Sequence, residues 1–181
     1  MKRLNTFITE KFQVSKDNIG KYKYYPETKD ELRKILEEHL YKDVNADLND
    51  IDVSDVTDMS SLFYDLDPHN IDISEWNVSN VTDMSNMFYE CVNFNADLSY
   101  WDVSNVEDMY SMFDDCHKFN SNLYKWNVVK VTDMRYMFYG CKNFNADLSN
   151  WDVSNVEDMN NMFDNCYSLK NRPTWYTYNY N

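Results

Sequence analysis

A period of 25 residues governs what this chain can fold into. Tryptophan recurs as Trp76, Trp101, Trp126 and Trp151, cysteine as Cys91, Cys116, Cys141 and Cys166, and phenylalanine as Phe63, Phe88, Phe113, Phe138 and Phe163. Val53, Val78, Val103, Val128 and Val153 keep the same phase, as do Met59, Met84, Met109, Met134 and Met159. The first copy is degenerate, with Ile51 in the tryptophan place and Leu66 in the cysteine place. Five copies therefore span residues 44–168. A unit this short cannot bury an apolar face alone, whereas stacked units can.

Within one copy, Phe94, Ala96 and Leu98 alternate with Asn95, Asp97 and Ser99. Period two predicts a short strand with one buried face. The parity breaks before Trp101 and Val103, which predicts a corner near Ser99–Tyr100. Ser104 and Glu107 then read as a capping box, repeated at Ser154 and Glu157, with Asp108 favoured by the dipole of the helix they would start. Val106, Met109, Met112 and Phe113 fall at helical spacing. The expected fold class is therefore α/β: a leucine-rich-repeat-like solenoid of five strand–corner–helix repeats with an N-terminal helical cap.

The flanks differ from the repeats. Residues 1–43 read as a cap of helix, short strand and helix. Leu4, Phe7, Ile8 and Phe12 form one face of the first helix. Thr28 and Glu31 cap a second, whose apolar face is Leu32, Ile35, Leu36 and Leu40. Residues 169–181, with Pro173, Trp175, Tyr176, Tyr178 and Tyr180, read as a tail covering the open end of the last repeat.

The unit MFxxCxxFNxDLSxWDVSNVxDM, carried in one copy by Met137, Phe138, Cys141, Phe144, Asn145, Asp147, Leu148, Trp151, Val153, Ser154, Val156, Asp158 and Met159, closely resembles the 25-residue variant of the BspA-type leucine-rich repeat. The resemblance covers residues 44 to about 170. It implies a leucine-rich-repeat-like solenoid and a non-enzymatic role, because that family occurs mainly in bacterial surface proteins and lipoproteins linked to adhesion or protein binding. The chain begins without a secretory apolar run or a lipid-attachment cysteine, so as written it reads as cytoplasmic.

Composition excludes several function classes. The formal net charge is −14, which opposes the phosphate neutralisation that nucleic-acid binding requires and disfavours an anionic membrane surface. Two glycines cannot build a phosphate-cradling loop. No stretch is long enough to span a bilayer. His39, His69 and His117 share no repeat position and sit in no nucleophile motif, so no catalytic activity is expected.

The repeated letters weigh differently as site candidates. The methionine and phenylalanine rows read as core. The cysteine row has no CxxC pair and reads as small buried residues. The tryptophan row also reads as core, with exposed stacking for a carbohydrate as the alternative. Asp47, Asp72, Asp97 and Asp147 share one position with Asn122. Calcium suits such oxygens but needs about six to eight of them converging, so no cofactor or metal is expected. Asn45, Asn70, Asn95, Asn120 and Asn145 read as satisfying loop backbone.

Specificity should reside where the copies disagree: Tyr100, Tyr110, Asp115, Tyr124, Lys125, Arg135 and Tyr136, and Tyr89 and Tyr139 against Asp114 and Asp164. The expected contact surface is Asp72, Asp97, Asn122 and Asp147 with Tyr100, Tyr124 and Lys125, taking a basic or polar protein partner. A structural spacer within a larger assembly, such as a phage-encoded particle, is the remaining alternative.

Overall fold

A computed structural model of the protein describes residues 20–176. It overturns the expected fold class. Among these residues the one helix is α1, Lys29–Leu40. No strand forms, and the sheet-like pairings are isolated parallel bridges. The α/β strand–corner–helix solenoid is replaced by a column of turns. The expected first helix (Leu4 to Phe12) and Tyr178 and Tyr180 of the tail lie outside the described residues.

The reason lies in spacing. Apolar residues three apart satisfy a helix, but they equally satisfy a succession of i→i+3 turns. The backbone N–H of Trp101 donates to the Leu98 carbonyl, Val106 to Val103, Met112 to Met109, Cys116 to Phe113 and Phe119 to Cys116. Each of these turns begins and ends on a buried side chain. A right-handed helix cannot continue through Ser111 (φ 49°) and Asp115 (φ 57°), which lie in the left-handed region.

Local side-chain bonds also compete with helix formation. The Ser104 N–H donates to Asp102 Oδ1 at 3.1 Å, so Ser104 caps no helix. The Ser154 N–H likewise donates to Asp152 Oδ1. The Glu107 and Glu157 N–H groups donate to the carbonyls of Thr82 and Thr132. Asp108 accepts the Tyr110 N–H at 2.8 Å, so its acidity serves a turn and not a helix dipole.

Coils bond to one another at a constant offset. The N–H groups of Met109, Ser111, Phe113 and Asp115 donate to the carbonyls of Asp133, Arg135, Met137 and Tyr139 at 3.0, 2.9, 2.9 and 2.7 Å. The same alternate-residue pattern joins Met84–Glu90 to Asp108–Asp114 and Met134–Gly140 to Asp158–Asp164. Parallel bridges run through Asp58, Asp83, Asp108, Asp133 and Asp158.

The stretch 94–98 does alternate, with Phe94, Ala96 and Leu98 buried and Asn95 and Asp97 exposed, yet it forms no ladder. The Phe94 and Asn95 N–H groups donate to the carbonyls of Cys91 and His69, and side chains make further bonds. The Asn120 N–H donates to Asn95 Oδ1 at 2.9 Å, and the Leu98 N–H to Ser121 Oγ at 3.2 Å. The chain turns at Ser99–Tyr100.

Aromatic rings fill the column. Phe88 and Phe113 stack at 5.5 Å with 3° between their planes, and Trp76 and Trp101 at 6.3 Å with the same 3°. Both are fully or nearly fully buried, with the methionines around them. Removing this much apolar area from water, at roughly 25 cal/mol per Å², is the main force holding coils together.

At the N-terminal end, α1 closes the column. Thr28 accepts the Glu31 N–H at 3.3 Å, and the Glu31 carboxylate accepts the Glu27 N–H at 2.9 Å. Leu32, Leu36 and Leu40 are buried against the first coil, and Ile35 packs partly against it. The segment before it joins through a parallel bridge between Tyr24 and Ile51.

Candidate interaction face

The repeated polar letters are mostly consumed by the backbone. Each tryptophan indole donates to a carbonyl one coil back: Trp76 to Leu48, Trp101 to Ile73, Trp126 to Leu98 and Trp151 to Leu123, all at 3.0 Å. The ring faces are covered by their neighbours, and exposure is 3–4% for these four. The thiols of Cys116, Cys141 and Cys166 donate to the carbonyls of Phe88, Phe113 and Phe138 at 2.9–3.0 Å, and no disulfide joins them. Burial pushes their titration upward, so they remain thiols at neutral pH. The asparagine row works in the same way, Asn120 Oδ1 accepting from Asn145 and Asn145 Oδ1 from Lys170.

Two polar rows stay outside, Asn77, Asp102, Asn127 and Asp152 forming one and the expected contact row the other. Asp72, Asp97, Asn122 and Asp147 are exposed and lie at successive 25-residue positions. Each binds the N–H two residues on: Ser74 at 3.1 Å, Ser99 at 2.9 Å, Tyr124 at 3.0 Å and Ser149 at 2.9 Å. At Asp72 and Asp147 these bonds favour the ionised form. The Ser74 hydroxyl above all, with Asn49 and the Ser74 N–H, holds Asp72 below the usual carboxylate range. The Ser149 N–H does the same for Asp147. The four side chains are thus fixed in direction. Only the first pair of the row, Asp47 and Asp72, is also joined by a backbone bridge.

Beside the row, Tyr100 is 76% exposed and Tyr124 is 43% exposed. Lys125 lies with its Nζ 5.6 Å from the centre of the Tyr100 ring, so one cation is drawn onto an aromatic face of the neighbouring coil. All seven residues singled out from the sequence therefore lie on the exposed surface, and two of them touch.

A second group of copy-specific residues gathers on the arc from Asp108 to Cys116 and its counterparts. Tyr110 meets Tyr136 at 6.1 Å, Tyr136 meets Tyr139 at 5.9 Å, and the Arg135 guanidinium lies 5.1 Å from the Tyr110 ring while paired with Asp133. Tyr64 meets Tyr89 at 5.7 Å. Asp114 between them is buried and accepts the Ser111 hydroxyl at 3.0 Å. Burial pushes Asp114 up to about 6, with Asp115 and Glu90 adding to the effect and Ser111 opposing it.

Lys29 and Arg33 were not singled out from the sequence, because cations on the polar side of an amphipathic helix read as solvated. Arg33 Nη1 donates to the carbonyls of Leu62 and Tyr64 at 2.8 and 2.7 Å, and Lys29 Nζ reaches Asp58 and Ser60. Among the described residues no group of three or more His, Cys, Asp or Glu could hold a metal ion. No described helix is long and apolar enough to cross a membrane.

The described residues thus define a column of stacked turns with side chains bonded into its own backbone and a fixed anionic row along one side. The chain belongs to the family described as "Mycoplasma protein of unknown function, DUF285", which it matches over residues 30–133 and again over 57–176. No curated protein and no solved structure matches it.

Proposed function

We propose that this protein is a non-enzymatic binding scaffold that presents its anionic row to a basic or polar protein partner. The observation that supports this reading is the row itself: Asp72, Asp97 and Asp147 are exposed, oriented by their own turns, and without an ion pair among the described residues, while Tyr100 and Tyr124 supply adaptable aromatic area beside them. The resemblance of the 25-residue unit to BspA-type repeats supports placing the protein in an adhesion or surface-recognition role. Association would be steered by charge and weakened by salt.

The triple variant Asp72→Asn, Asp97→Asn, Asp147→Asn tests this. Asparagine keeps the turn, as Asn122 already does in the same row, so the fold should survive. Affinity for a captured partner should fall about tenfold at low ionic strength, from roughly 0.2–1 kcal/mol per exposed charge. The difference should shrink in high salt. Unchanged affinity with an unchanged melting temperature would exclude the row as the contact surface.

A further inference from the structure

One position of the arc breaks its own pattern. Tyr64, Tyr89 and Tyr139 share a repeat position, and in the coil between Tyr89 and Tyr139 that position is held by Asp114. Backbone bonds fix the register. The Glu90 N–H donates to the Asp114 carbonyl at 2.9 Å, and the Asp115 N–H to the Tyr139 carbonyl at 2.7 Å. In the core beneath, ring follows ring at 5.5 Å from Phe88 to Phe113 and at 5.6 Å from Phe113 to Phe138. The two tyrosine positions are therefore about 10 Å apart, two coil spacings, with a carboxylate and no ring between them. Each wall is braced by another ring, Tyr89 by Tyr64 at 5.7 Å and Tyr139 by Tyr136 at 5.9 Å.

Asp114 forms the floor of this notch and is 9% exposed. Its Oδ2 accepts the Ser111 hydroxyl, whereas Oδ1 bonds nothing among the described residues and is not closed off from solvent. The charges that act on it, Asp115 and Glu90, are both negative. Elsewhere the chain answers carboxylates with its own cations: Lys29 on Asp58, Lys23 on Asp50 and Arg135 on Asp133. Arg135 also lies 5.1 Å from the centre of the Tyr110 ring, so one guanidinium of this arc already rests on a tyrosine and a carboxylate together. A carboxylate nine-tenths buried, with an unbonded oxygen and no cation, costs stability unless a charge reaches it from outside.

We propose that the notch between Tyr89 and Tyr139 binds the guanidinium of an arginine side chain presented by a partner protein, with its N–H groups donating to Asp114 Oδ1 and its plane against tyrosine. A group midway between the walls is about 5 Å from each, within the roughly 6 Å reach of a cation–π contact. A guanidinium suits the notch better than an ammonium, because its flat, weakly hydrated face stacks while its edge bonds the carboxylate. Ser111 holds that carboxylate in place. The site lies on the arc and not on the row of Asp72, Asp97, Asn122 and Asp147, and it does not rest on the reading given to that row.

Titration of the full chain with the acetylated and amidated tripeptide Gly-Arg-Gly at neutral pH, followed by NMR of the tyrosine rings, tests the site. The resonances of Tyr89 and Tyr139 should shift saturably, with a dissociation constant of about 1–10 mM, and those of Tyr100 should not. The same peptide with citrulline, neutral and of equal shape, should bind about tenfold more weakly, and with lysine about threefold more weakly. Asp114→Asn keeps an acceptor for Ser111 and should weaken the arginine peptide about fivefold or more. Asp97→Asn with Asp147→Asn should leave this binding unchanged, so failure of one site is distinguishable from failure of the other. No shift at Tyr89 and Tyr139, equal binding of the citrulline or the lysine peptide, or full affinity in the Asp114→Asn variant would each overturn the proposal.

Discussion

The two ends of the column solve one problem with unequal success. At the N-terminal end a helix buries Leu32, Leu36 and Leu40, and one guanidinium bonds the carbonyls of Leu62 and Tyr64 together. At the C-terminal end the Trp175 ring continues the indole stack, 6.2 Å from Trp151, and its Nε1 donates to Leu148 at 3.0 Å. That closure contributes rings, the indole donor and an ion pair between Arg172 and Asp164, whereas the edge it faces needs acceptors. The difference teaches that direction matters in a column of aligned peptides. Two carbonyls of such an edge can be bonded by one side chain, because Arg is all donor and its Nη1 alone reaches both. An N–H edge needs several acceptors in a line, which aromatic side chains cannot supply.

The largest expected effect breaks the comparison by cutting into each closure. Leu36→Ala removes a side chain with no exposure and should cost about 2–5 kcal/mol in urea unfolding. Trp175→Ala acts on a partly buried ring and should cost less, about 1–3 kcal/mol. If the tryptophan variant proves the more damaging, the C-terminal end is the better closed and the asymmetry argued above is wrong. Next in size is Arg33→Ala. It strands two carbonyls and removes an i,i+4 pair with Glu37, a loss of about 1–3 kcal/mol. Arg33→Lys should recover less than half, because one ammonium cannot reach both the Glu37 carboxylate, which Arg33 bonds through Nε, and the two carbonyls, which it bonds through Nη1. Full rescue by lysine would mean that charge alone, not geometry, closes this end.

How much of this was legible depends on which signal a residue leaves. The 25-residue offset is written in identical letters, and the same offset recurs in the parallel bridges from Asp58 to Asp158. The burial of Phe94, Ala96 and Leu98 follows from their alternation. The helix expected around Met109 was wrong because i,i+3 spacing is shared by a helix and by linked turns. Glycine, the usual mark of left-handed turns, is nearly absent. Among the described residues ten non-glycine positions take positive φ, Tyr136 at 57° included, so the sequence carries no warning. Such conformations cost of order 1–3 kcal/mol each in isolation, and at Ser61, Asn86, Glu90, Ser111, Asp115 and Tyr136 the residue's N–H bonds the neighbouring coil. The strand expected at 94–99 failed for a related reason: side chains of the asparagine row and of Ser121 take up backbone groups that a ladder would have used. The candidate surface residues were legible because exposed positions need only be polar and out of phase with the core. Arg33 was not, since its partners are main-chain atoms about thirty residues away, which no side-chain pattern announces.

The smallest expected effect sharpens the comparison from the middle of the column. Asp114 titrates at about 6 in the folded protein, against an ordinary value of 3.8, and burial is the main cause. A raised folded-state value for an acid means that the native chain holds the proton more tightly than the unfolded one. The stability this gives is fully present below about pH 4, is lost as pH rises towards 6, and stays lost above it. Asp114→Asn keeps an acceptor for the Ser111 hydroxyl and removes the titration. At pH 7 it should stabilise the protein by about 1–2 kcal/mol, less than the full shift would imply because some solvent reaches the site. At pH 4 it should be close to neutral. Asp108, also raised by burial, titrates in both proteins and cancels in the difference. Because Asp114 lies between the closures, the gain should slow exchange at Leu36 and at Met162 alike. A gain felt at one end alone would show that the column opens in sections, and that its two ends differ in cooperativity as well as in closure.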